Sequence, residues 1–68
     1  MVKDFPLLPL EKIAREAGAE RVSRSALLTL KEVLLEESED ISRKAVKFTE
    51  HAKRTTVKRE DIILASRR

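Results

Sequence analysis

Between Ser23 and Ala52 this sequence contains neither proline nor glycine, and that uninterrupted stretch constrains the fold more than any other feature. It holds no residue that removes a backbone donor or breaks a helical turn. Ala26, Leu30, Val33, Leu34, Ile41, Ala45, Phe48 and Ala52 recur along it at helical spacing, which marks one apolar stripe. Ser23 can cap its N-terminus. Glu39 with Arg43, and Asp40 with Lys44, add favourable pairs four residues apart. The stretch predicts a single helix of about 28 residues, about 42 Å long.

The flanks read as shorter elements. Pro6, Pro9 and Gly18 are the only prolines and glycine in the chain. Residues 1–8 therefore predict an extended lead-in, with Pro9 near a helix start. Leu10, Ile13, Ala14 and Ala17 share one face of a first helix over Pro9–Ala17, and Gly18 supplies its left-handed stop. Thr55, Thr56 and Val57 are β-branched and predict a short extended stretch. A third helix follows over Lys58–Arg67, with Ile62, Ile63, Leu64 and Ala65 as its apolar residues. Glu60 and Asp61 suit its positive N-terminal end, and Arg67 and Arg68 its negative C-terminal end. The fold class is all-α, in the order short, long, short.

Length then demands a partner. A compact globule of 68 residues has a radius of gyration near 11 Å and a diameter of about 28 Å. The central helix exceeds that span, and two short helices cannot cover its stripe. A second copy crossing it can, so an obligate intertwined dimer is expected. The alternative is a helix that breaks near Ser38 to give a small four-helix monomer.

Composition excludes most other classes. The chain has no cysteine, tyrosine or tryptophan and one histidine, so disulfides and thiolate metal sites are absent and little remains for catalysis. No apolar run approaches the roughly 20 residues of a membrane span and no signal peptide is evident, which predicts a soluble, cytoplasmic protein. Fifteen lysines and arginines oppose twelve acids, a net charge of +3. Such an excess fits nucleic acid if concentrated on one face, and equally fits an ordinary highly charged surface. Neither an enzyme nor a cofactor is expected.

Two segments resemble a known family. Gly18–Ala19–Glu20–Arg21–Val22–Ser23 is similar to the first-loop motif of archaeal histones. His51–Ala52–Lys53–Arg54–Thr55–Thr56–Val57–Lys58–Arg59–Glu60–Asp61–Ile62 is similar to their second loop and third-helix start, and Thr49–Arg54 also resembles a eukaryotic histone. The resemblance spans about Leu7 to Arg67. It implies a histone fold: a handshake dimer whose paired loops and first helices touch successive turns of double-stranded DNA. It further implies that dimers join through four-helix bundles, as tetramers or longer superhelical filaments, and compact the chromosome without reading base sequence. No basic tail is expected outside the fold.

The resemblance assigns roles by position. Arg21 enters the minor groove and Thr56 braces it. Lys12 and Arg15 on helix one, Ser23 in the first loop, and Lys53, Thr55 and Lys58 around the second contact phosphates, so binding weakens with salt. Thr55 stands where relatives often carry lysine, which lowers the local charge. Arg54 and Asp61 form an ion pair closing the second loop. His51 bonds Asp61 of a neighbouring dimer, with Phe48 and Leu64 packing beside it. Gly18 lets adjacent superhelical turns stack closely. A histone-fold subunit of a transcription or repair complex, using the same dimer surface for protein, is the alternative. The partner is DNA together with a second copy or a paralogue.

Two features fall outside this pattern. Glu32, Glu36, Glu37, Glu39 and Asp40 form an acidic belt in mid-helix, read as a solvated face rather than a metal site. Glu37 interrupts the apolar stripe where many relatives are apolar, and Leu35 sits where charge is usual and exposure is expected.

Overall fold

The computed structural model describes residues 5–67. Three helices make up its regular structure: α1 over Leu8–Glu16, α2 over Arg24–His51 and α3 over Arg59–Ser66. The all-α class holds, and α2 is one continuous helix of 28 residues, so the chain does not break near Ser38. Helix boundaries sit one residue inside or outside those the sequence suggests. Leu7 caps α1 with helical dihedrals and Pro9 falls in its first turn, where a missing N–H leaves no bond unmade. The extended lead-in thus ends before Leu7, and its residues 1–4 lie outside the described residues, as does Arg68. Residues 54–58 form no strand. They curve through bends instead, because side-chain bonds within the loop hold them.

The chain divides into two compact units, one ending at Leu35 and one beginning at Glu36. In the N-terminal unit α1 and α2 each contribute one buried leucine, Leu10 and Leu27. The C′ residue of α1 is Gly18, with φ +111°. Its N–H donates to the Arg15 carbonyl at 3.0 Å and the Ala19 N–H to the Ala14 carbonyl at 3.1 Å, the paired bonds of a Schellman stop. Ser23 caps α2: its Oγ accepts the Ala26 N–H at 3.1 Å, three residues on, as an N-cap does. Leu35 is half-buried, not exposed as its unusual position suggested.

In the C-terminal unit the buried residues are Ala45 and Thr49 on α2 and Asp61 and Ala65 on α3. Glu39 pairs with Arg43, and Asp40 also turns to Arg43 instead of Lys44. One guanidinium can serve carboxylates three and four residues before it on the same helix face.

What is missing is a core. Among the described residues only four apolar side chains are buried, two of them alanines, while eleven large ones stand exposed. Val33 is 52% exposed, Phe48 42% and Leu64 50%. Leu30, Val33, Leu34 and Phe48 lie together on the α2 stripe and Ile62 and Leu64 on α3, so the exposed apolar residues are not all scattered singly, which is the mark of a surface made for another chain.

Candidate nucleic-acid interface

The second loop is built around one buried carboxylate. Thr49 on the last turns of α2 and Asp61 on the first turn of α3 are both almost fully buried. Asp61 occupies the third position of α3, and its Oδ2 accepts the N–H of the cap residue Lys58 at 2.9 Å. This is the half of a capping box that a carboxylate supplies; lysine has no acceptor to return the other half. Arg54 Nη1 and Nη2 donate to the two carboxylate oxygens at 2.9 Å each, a bidentate pairing. The Thr49 hydroxyl lies 2.8 Å from Oδ2 and 2.9 Å from the Ala45 carbonyl, so its single proton is shared between them. Arg54 Nη1 also donates to the Thr56 carbonyl at 3.1 Å.

Helix end, loop and next helix start are thereby tied at one point. The guanidinium, the Lys58 amide and the Thr49 hydroxyl, in that order, hold the Asp61 carboxyl well below the usual carboxylate range. Asp61 in turn raises the affinity of Arg54 for its proton. Both groups are engaged internally, and Oδ1 takes a single donor, leaving it one acceptor site.

The residues the loop presents outward are different. Lys53, Thr55, Thr56, Lys58 and Arg59 are all exposed. From Lys53 to Arg59 the chain carries four cations and no acid. Lys53 has φ +58°. The Lys53 N–H donates to the Glu50 carbonyl at 2.9 Å and the Arg54 N–H to the Thr49 carbonyl at 3.0 Å. This is the Schellman stop that Gly18 makes for α1, with lysine at the left-handed position where glycine is unstrained.

The other candidate residues are placed on their own elements. Lys12 is exposed on α1, and Arg15 is held by Glu11 at 3.0 Å. Arg21 is exposed in the first loop. Ser23 is engaged as the α2 cap and lies 3.2 Å from the Ser25 hydroxyl. A Cβ at Gly18 would meet nothing within 4 Å, so only its backbone requires glycine. Phe48, His51 and Leu64 are exposed in the C-terminal unit. Thr56 is joined to Arg54 through its carbonyl. Thr49 and Arg59 are the residues that sequence reasoning misses. Thr49 hides among Ala45, Phe48 and Ala52 on the apolar stripe, and a polar residue at a stripe position is the signal that finds it. The described residues contain no cluster of acids or histidine suited to a metal ion, and no helix among them is long and apolar enough to cross a membrane.

Residues 3–65 match the model of a family described as histone-like transcription factor (CBF/NF-Y) and archaeal histone. The chain is 45% identical over 62 residues to a subunit of archaeal histone HAN1 from Thermococcus zilligii, covering 91% of this chain and 92% of that one. It is 44% identical over 64 residues to probable archaeal histone 3 of Methanocaldococcus jannaschii, covering 94% and 96%. A major histone H4 of Tetrahymena pyriformis is 36% identical over 59 residues, 87% of this chain and 57% of that one.

Proposed function

The chain belongs to the family of archaeal histones and histone-like transcription factors, and from that membership we propose that it wraps and compacts double-stranded DNA as an archaeal-type histone. Two histone-fold chains clasp through their α2 stripes, burying the apolar residues that one chain leaves exposed. The clasp sets the first loop of one protomer beside the second loop of the other, so Arg21 meets the partner's second loop. Backbone phosphates, not base edges, are the ligand: lysines and arginines displace condensed counterions, and hydroxyls and loop amides add hydrogen bonds. Arg21 is the residue for the minor groove, and Thr56 for bracing it.

The observation that carries this reading is the division of labour in the second loop. Arg54, Asp61 and Thr49 fix it internally, while Lys53, Thr55, Thr56, Lys58 and Arg59 stand exposed without an acid between them. A loop that docked an ordinary protein surface would not need three exposed cations within seven residues. Phe48, His51 and Leu64 form the dimer–dimer contact, with Asp61 Oδ1 as the acceptor for His51 of the neighbouring dimer, and the open space around Gly18 admits the next superhelical turn. The protein works as a single histone fold on the chromosome.

Micrococcal-nuclease digestion of the protein on long DNA tests this. A ladder of protected lengths that disappears as salt rises is the expected result. A lack of protection at low ionic strength, with retained dimers, would favour the protein-binding role instead.

A further inference from the structure

The arginines of this chain fall into two sets. Arg15 pairs with Glu11, Arg43 with Glu39 and Asp40, and Arg54 with Asp61. Arg21, Arg24, Arg59 and Arg67 form no ion pair among the described residues. Three of these four stand at the two loops: Arg21 within the first, Arg24 as the first residue of α2 and Arg59 as the first residue of α3. Arg21 is already the residue for the minor groove. Arg24 has no role so far, and Arg59 only that of an exposed cation.

The fold supplies neither side chain with a carboxylate. Arg24 is exposed, and the first turn of α2 that it opens contains no acid. From Arg21 to Lys31 the sequence has no acid at all. A cation at the positive end of a helix is moreover opposed by the helix dipole, so local electrostatics do not favour arginine there. Arg59 is exposed two positions before the buried Asp61, about 200° round the helix from it. The Asp61 carboxylate is held by Arg54, Thr49 and the Lys58 amide, turned into the loop while Arg59 faces away. Glu60, next to Arg59, is exposed and makes no ion pair with it.

A guanidinium is a planar fork that fits two oxygens of one phosphate. Left without an acid beside loops that already present Arg21, Lys53 and Lys58, Arg24 and Arg59 extend the same cationic edge. Resting on the handshake reading, the first loop of one protomer lies beside the second loop of the other. Arg24 of one chain and Arg59 of the other then border the same paired loops.

We propose that Arg24 and Arg59 form a phosphate clamp: each holds a backbone phosphate of double-stranded DNA, one at the end of each paired loop, beside the groove that Arg21 enters. By two-fold symmetry a dimer carries two such clamps.

The test is the salt dependence of affinity for a duplex of mixed sequence, read by fluorescence anisotropy for wild type, R24Q and R59Q. Each substitution removes two phosphate contacts per dimer, so the slope of log affinity against log salt should fall by about two. Between about 50 and 200 mM salt the wild type should therefore lose about tenfold more affinity than either variant. R24K keeps the charge and should keep the slope. R24Q should melt no lower than wild type, because it removes a cation that the dipole opposes. R67Q is the control: it removes an unpaired arginine about 12 Å along α3 from Arg59 and should leave the slope unchanged. An unchanged slope for R24Q or for R59Q, with the wild type bound, overturns the clamp and leaves the histone reading intact. A fall of the same size in R67Q also overturns it, because net charge alone would then govern binding. A wild-type protein that ignores the duplex at low salt ends both readings.

Discussion

At the residue scale, two positions show how stability and binding are divided. Lys53 holds a left-handed backbone that disfavours any side chain by about 1 kcal/mol. Glycine would relieve it, so lysine stands here against local preference, and strain of this kind points to function. Lys53→Gly is expected to raise unfolding stability by about 1 kcal/mol while weakening DNA binding and reducing its salt dependence by about one phosphate contact. Denaturant melts and salt-dependent gel shifts should therefore move in opposite senses. Asp61 is the converse case, a buried acid serving structure. Its folded-state proton affinity is depressed, so its stabilisation is fully present above the ordinary carboxylate range, near pH 4, and is lost as pH falls below that. Melting temperature measured against pH should fall on the acid side in the wild type. Asp61→Asn should melt roughly ten degrees lower at neutral pH and show a shallower acid limb; an unchanged limb would mean that other carboxylates govern acid unfolding.

At the element scale, the two loops are made by the same chemistry from different residues. Each begins with a Schellman stop, at Gly18 and at Lys53, and each ends in a cap on the next helix, Ser23 for α2 and the Asp61 carboxylate for α3. Ser23→Ala leaves the Ala26 N–H without its acceptor and should cost about 1 kcal/mol, read as a lower denaturation midpoint with dimerisation retained. The first loop was legible residue by residue: Gly18 and Ser23 are types with few alternative roles, and each bonds within three residues of itself. The second was legible only in part. The Arg54–Asp61 pair followed from resemblance; a polar residue on the apolar stripe marks Thr49, but nothing in the order of residues announces that its partner is Asp61, twelve positions on. Its partner is close only once α3 has turned back onto the end of α2. The same turn explains why the β-branched run Thr55–Val57 makes a bend and not a strand: Arg54 claims the Thr56 carbonyl that a ladder would need.

At the scale of the whole molecule, a chain with four buried apolar side chains among its described residues depends on its partner for most of its apolar burial. Melting temperature should rise with protein concentration, as it does when folding and association are one equilibrium. Leu34→Asp, which charges the exposed stripe and leaves the loop and cap bonds untouched, should abolish the dimer and with it the folded state. A cooperative melt independent of concentration over a hundredfold range would show that one chain is stable alone. The sequence by itself determined the number, order and approximate ends of the helices, the unbroken run of α2 and the presence of an uncovered apolar stripe, because these depend on propensity, periodicity and caps acting within a few residues. Tertiary structure alone decided which polar groups the second loop keeps for itself and which it offers outward, and that Leu35 is half covered. Those outcomes depend on which side chains the folded backbone brings within bonding or packing distance, and several compete for the same partner.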